Sequence, residues 1–286
     1  MTAGNLFCGF LAIIQIFQAI SIPDATLSGE QLLDQRAHIF KALGLILLAC
    51  VFDLLDGRVA RLGGQESEFG REFDSIADIV SFGMAPALLV YNLVLHHGWI
   101  QAEGIGWMIA FIYLVCGAMR LARFNVISSS SDKDGSNFRG FPIPAAAGVI
   151  ASLTLLMLFL EGRPSGEIGP WKYVLPPLML LLSFMMFSNI PYPSFKDIDW
   201  RTRNSPPYVL AAMILLISTV IFYQVMPAVL FLSYFAYGIV RWLFPKRPKG
   251  DDDGSGGEGA PDEDLLEAVS RESRPPGTEP HSVSKN

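Results

Sequence analysis

Charge is scarce in this chain of 286 residues: Asp, Glu, Lys and Arg make up 17% of it, against the quarter or so typical of soluble domains. Half the residues are apolar and the mean hydropathy is +0.38, which excludes an ordinary soluble domain and points to a membrane protein. Cysteine is nearly absent. Cys8, Cys50 and Cys116 are the only three, all inside apolar segments, so neither a disulfide framework nor a zinc spacing exists, and they read as small core residues. The histidines His38, His96, His97 and His281 fall near segment boundaries or in the C-terminal tail, not as a ligand set. There is no glycine-rich phosphate loop, no Ser-His-Asp arrangement and no basic groove, so nucleic acid is not an expected partner.

What is present is a series of apolar runs of roughly 17 to 25 residues, the length that spans a bilayer. They lie near 4–20, 38–55, 75–95, 105–124, 142–160, 172–190, 207–223 and 226–244. The first lacks the basic flank and small-residue cleavage site of a signal peptide and reads as a transmembrane helix. The fold class expected is therefore all-α, a polytopic bundle of about eight spans. An even number of spans puts both termini on one side, together with the loops after spans two, four and six. Those regions hold Arg58, Arg61, Arg71, Arg123, Lys133, Arg139, Lys196, Arg201, Arg203, Lys246, Arg247 and Lys249, while the other side offers little beyond Arg36 and Arg163. The bias places that side in the cytoplasm of a cell-membrane protein. Trp99, Trp107, Trp171, Tyr173, Trp200 and Trp242 sit at expected span ends, as an interfacial belt does.

The chain divides into a membrane domain, 1–249, and a tail, 250–286. The tail is rich in Gly, Ser, Pro, Asp and Glu, with ten acids and three bases, and is expected to be a disordered cytoplasmic segment. It carries the acidity of the whole chain, so the low pI says nothing about a site in the membrane domain.

The most informative stretch lies between the second and third apolar runs: Asp53-x2-Asp56-Gly57-x2-Ala60-Arg61-x8-Gly70-x3-Asp74-x3-Asp78. Carboxylates beside hydrocarbon are costly and mark function. On a helix Asp53, Asp56, Gly57 and Ala60 share one stripe, and Gly70, Asp74 and Asp78 share another. Leu62 to Phe69, with Gly63 and Gly64, supply a short connection between antiparallel helices, so the two stripes can face each other. A merely acidic solvated turn would not need helical periodicity on both flanks. Carboxylates of one sign repel unless cations lie between them, and hard cations such as Mg²⁺ and Mn²⁺ take oxygen ligands. The expected contents are two divalent cations and a phosphorylated substrate.

With every position filled, the run resembles the signature of the CDP-alcohol phosphotransferase family. Gly4-Asn5-Leu6-Phe7-Cys8-Gly9, Arg120-Leu121-Ala122-Arg123-Phe124-Asn125 and Gly140-Phe141-Pro142-Ile143-Pro144-Ala145-Ala146 narrow the resemblance to its serine-specific phosphatidyltransferases. The resemblance spans about 4–244 and implies a six-helix catalytic core, a homodimer, and transfer of a phosphatidyl group from CDP-diacylglycerol to L-serine in the presence of Mg²⁺ or Mn²⁺. It implies Asp53, Asp56, Asp74 and Asp78 as metal ligands, with Asp78 also the catalytic base. Gly57 and Ala60 would lie against the nucleotide, Arg61 on phosphate or cytidine, and Gly70 where helices approach closely. Relatives usually carry a polar or amphipathic lead-in before the first helix, which makes an upstream start an expectation to check.

Serine brings a carboxylate, and a guanidinium can clamp one bidentately. Arg120, Arg123 and Arg139 are the acceptor-site candidates, with Asn5 and Asn125 behind them; basic anchors at a cytoplasmic helix end are the plainer reading. Pro142 and Pro144 suit the start of a helix. Glycerol 3-phosphate, inositol phosphate or choline are alternative acceptors within the family. A cation transporter is the alternative from another class, but transporters carry repeated halves and the acidic motif has no second copy. A catalytically inactive lipid-binding relative is a third, and no substitution in the motif favours it.

Overall fold

The structure, a computed structural model, describes residues 1–21, 29–63, 68–95, 105–129, 140–161, 170–188, 217–219 and 221–243; within these helices the side chains of 32, 57–63, 128–129, 161 and 241–243 are left out of account. The described elements are helices: α1 (Thr2–Ile20), α2 (Gly29–Gly63), α3 (Glu68–Asp78), α4 (Ala85–Val90), α5 (Ile105–Ser129), α6 (Ile143–Glu161), α7 (Leu175–Phe187) and α8 (Met226–Leu243). Among the described residues, six stretches are long and apolar enough to cross a membrane: Thr2–Ile20, Leu33–Asp56, Glu68–Leu95, Ile105–Ile127, Ile143–Leu160 and Pro170–Phe187. These match the first six expected spans, and the protein is a multi-pass helical membrane bundle. The apolar helix α8 stands where the eighth was expected. Of the seventh, only part of 217–223 falls among the described residues. The chain groups into Met1–Phe244 and Pro245–Asn286; the second group, and the expected boundary at 249, lie outside the described residues.

The link between the acidic stripes is shorter than Leu62–Phe69, because α2 runs on to Gly63 and α3 already begins at Glu68. Glu68 in the first turn of α3 suits the positive end of the helix dipole. Both halves of the motif therefore sit on helix.

The third span is not a uniform helix. Its α-helical pieces α3 and α4 are separated by a π-helical segment, Ile79–Met84, and a second one, Tyr91–Leu95, follows α4. Pro86 gives the reason for the first: it has no N–H to offer the Phe82 carbonyl one turn back, and its ring crowds that carbonyl. The wider π turn relieves the crowding, and the buried Tyr113 hydroxyl of α5 donates to the Phe82 carbonyl at 3.1 Å. That hydrogen bond replaces the missing one in a place water does not reach.

Packing follows small residues. α1 lies along α2 and also touches α3 and the Ile79–Met84 segment. The contact with Ser81 closes to backbone distance at Gly9, where an added Cβ would stand 2.2 Å from Ser81 Oγ and 2.6 Å from Ser81 Cα. α6 is the most enclosed span, two-thirds buried, and touches α2, α7 and α8. The chain approaches α6 through Gly140, whose φ of +93° only glycine adopts without strain. The Phe141 N–H then donates to the Met185 carbonyl at 3.1 Å, and the fully buried Phe141 ring meets Tyr234 and Phe235 of α8 at 5.6 and 5.9 Å. Exposed Phe7, Phe10, Phe17, Phe111, Phe184 and Phe187 form the outer surface expected of a bundle in lipid. Cys8, Cys50 and Cys116 are free thiols within the packed spans.

Candidate active site

Asp53 and Asp56 stand one turn apart near the end of the second span, and Asp74 and Asp78 one turn apart at the start of the third. The fold brings the two stripes together: Asp53, Asp74 and Asp78 each present an oxygen within 4.8 Å of the others. At that spacing each ionised pair repels by about 3 kcal/mol or more, taking an effective dielectric of about 20. Nothing apolar about the surroundings relieves this, since Asp78 is buried and Asp53 and Asp74 are half-buried. Asp74 Oδ1 is buried with no hydrogen-bond donor among the described residues. An all-oxygen donor set, of one sign, with an orphaned carboxylate oxygen, fits a hard divalent cation.

Asp56 is outside this tight group. It accepts a hydrogen bond from the Thr2 hydroxyl, and three residues further along α1 the Asn5 amide N–H donates to Asp78 Oδ1 at 2.9 Å. One face of α1 thus reaches both acidic stripes. Gly70 lies on α3, half-buried, on the stripe of Asp74 and Asp78. Gly57, Ala60 and Arg61 continue helix α2, but their side chains are outside the described ones.

The three arginines separate. Arg120 is buried, at 9% exposure, within electrostatic reach of Asp78, Tyr234 and Asp53. Arg123, one turn on, is exposed. Arg139 lies outside the described residues. Of the two that are described, Arg120 is the one brought to the carboxylates. Asn125 has a different job: its amide donates to Ser75 Oγ at 2.9 Å and Glu72 Oε2 at 3.2 Å, tying α5 to α3 beside the aspartates. Thr2 and Tyr234 have no signal in the sequence, since nothing in their local spacing ties them to the motif. Phe141, in the Gly140–Ala146 run, is the nearest pointer to Tyr234, because its ring seats α8 against the core.

Comparison with known proteins agrees with this geometry. The family model for CDP-alcohol phosphatidyltransferase matches residues 1–185. The chain is 37% identical over 248 residues to a CDP-diacylglycerol–serine O-phosphatidyltransferase of Helicobacter pylori, covering 84% of this chain and 90% of that protein. It is 31% identical over 208 residues to the protein of the same description from Methanocaldococcus jannaschii, covering 72% and 87%. An archaetidylserine synthase of Methanothermobacter thermautotrophicus is 33% identical over 186 residues, covering 64% and 70%. A match over well more than half of the chain, with every aspartate of the signature in place, means that the chain belongs to the CDP-alcohol phosphatidyltransferase family.

Proposed function

We propose that this enzyme transfers the phosphatidyl group of CDP-diacylglycerol to the hydroxyl of L-serine, giving phosphatidylserine and CMP. The observation that carries the reading is the convergence of Asp53, Asp74 and Asp78 to within 4.8 Å at the edge of a membrane bundle. A pyrophosphate whose acyl chains lie in the bilayer and whose cytidine lies in water needs a site at that depth. The similarity to serine-specific relatives over most of the chain supports serine as the acceptor.

In this reading Asp53, Asp56, Asp74 and Asp78 would hold two divalent cations, Mg²⁺ or Mn²⁺. Bound cations supply neutralisation of the pyrophosphate and of the departing CMP. Asp78 takes the proton of the serine hydroxyl as its oxygen bonds to phosphorus; the bond from phosphorus to the CMP oxygen breaks and its electron pair leaves with CMP. Gly57 and Ala60 leave room for the nucleotide, Arg61 meets phosphate or cytidine, and Gly70 lets the helices approach. Arg120 faces the acceptor or lipid phosphate from the buried side, and Arg123 and Arg139 are the further candidates for those groups. The enzyme acts as a homodimer in the cell membrane, with active site, termini and acidic tail on the cytoplasmic side.

The test is CMP release from CDP-diacylglycerol by purified protein in detergent with Mn²⁺ or Mg²⁺. Serine, glycerol 3-phosphate, inositol phosphate and choline are compared as acceptors. Release with serine alone is the expected result. Release with another alcohol would keep the chemistry and replace the acceptor, and release with none would remove the proposal.

A further inference from the structure

The first helix supplies something that the acidic motif does not contain. Asn5 is fully buried, and its amide N–H donates to Asp78 Oδ1. The other end of that amide, Oδ1, is buried with no hydrogen-bond partner among the described residues. Leaving a buried amide oxygen unpaired costs about 1–3 kcal/mol, so this amide is not placed for its own full satisfaction. The amide is instead committed to one carboxylate oxygen.

The backbone that carries Asn5 is fixed as firmly as the side chain. Its carbonyl accepts the Ser81 hydroxyl at 2.9 Å, and both residues are buried. One turn further along α1, Gly9 allows the backbone of Ser81 to approach so closely that any Cβ would collide. Ser81 belongs to the π-helical segment that begins directly after Asp78. Asp78 and Ser81 thus grip Asn5 from one short stretch, one through the side chain and the other through the carbonyl. Insertions of this kind occur often beside functional groups.

The geometry points to Asn5 as a positioning residue for Asp78: it holds Oδ1 and so leaves Oδ2 to face the acceptor hydroxyl. The inference rests on the proposed transferase reading, in which Asp78 takes the acceptor's proton. Asn5 touches neither substrate nor phosphorus in this account. A neutral amide suits the task because it orients the carboxylate without adding a cation that would compete with metal for it. Thr2, on the same face, does the corresponding service for Asp56.

The experiment compares wild type, Asn5→Ala and the near-isosteric Asn5→Asp as full-length protein in detergent. It reads kcat and KM for both substrates, together with Mn²⁺-dependent binding of CDP-diacylglycerol by thermal shift. The expected result is a fall in kcat of about 10- to 100-fold, the scale of a misplaced reacting group, with KM and lipid binding within about threefold. Ser81→Ala should show the same split with a smaller fall. A folded Asn5→Ala or Asn5→Asp enzyme with kcat within about twofold of wild type would overturn the inference. So would loss of lipid binding in step with kcat, or loss of the fold in both Asn5 variants, since either assigns Asn5 to structure alone. If wild type itself releases no CMP with serine, the transferase reading fails first, and the two failures are told apart.

Discussion

The two ends of the α1–α2 pair carry polar clusters of similar size and opposite character. At one end His38 Nδ1 lies 2.7 Å from Gln15 Oε1, Gln15 Nε2 donates to Gln18 Oε1 at 3.0 Å, and His38 Nε2 lies 3.7 Å from Asp34. Donors there meet acceptors, and a side chain of mixed polarity finds a partner of the complementary kind. At the other end Asp53, Asp74 and Asp78 crowd together, while Asn5 Oδ1 and Asp74 Oδ1 are buried without partners among the described residues. The same two helices hold both clusters. What separates them is satisfaction: the first is complete as folded, and the second is completed by something cationic. Buried polar groups are almost always paired, so a group of them left short of partners marks the site more sharply than their polarity does.

This contrast can be broken from either end. The largest effect belongs to Asp78→Asn, which keeps shape and removes the proposed base. CMP release should fall by about 100-fold or more, read in the serine assay, and a chelator should abolish wild-type release. Next is Gly9→Val, which pushes a side chain into Ser81. Overpacking of this kind costs about 1–3 kcal/mol, seen as a lower unfolding temperature in detergent, and turnover should fall with it because the α1 face that meets Asp78 is displaced. Tyr113→Phe removes the donor that satisfies the Phe82 carbonyl. It should cost about 1–2 kcal/mol of stability while leaving KM for serine near its wild-type value. The smallest effect is expected at the satisfied end: the double variant Gln15→Met, His38→Leu replaces a paired cluster by apolar groups. That exchange is nearly neutral in principle, and CMP release should stay within about twofold of wild type.

Much of the acidic end was legible in the sequence because helical spacing is a local property. Asp53 and Asp56, and Asp74 and Asp78, announce two stripes without any knowledge of the fold, and apolar length announces the first six spans. The partners were harder to read. Thr2 and Asn5 reach the aspartates only because Gly9 lets α1 close on Ser81, a packing register that no spacing within α1 encodes. Arg120 and Arg123 look alike in sequence, yet one faces the carboxylates and the other is exposed. The difference depends on how α5 is rotated against α3, fixed in part by Asn125 on Ser75 and Glu72. The π segments were hidden too, although Pro86 is the visible cause of the first. Tyr234 arrives from α8, beyond the stretch that matches the family, and reaches the site through its contact with Phe141 and its electrostatic interaction with Arg120.

The most direct measurement is Mn²⁺ binding to the purified protein by electron paramagnetic resonance, comparing wild type, the Asp53→Asn/Asp74→Asn pair and the Gln15→Met/His38→Leu pair. Saturable binding in wild type and in the Gln15/His38 variant, lost in the aspartate variant, is the result the account predicts. Binding that survives removal of both aspartates, in protein that remains folded, would contradict it.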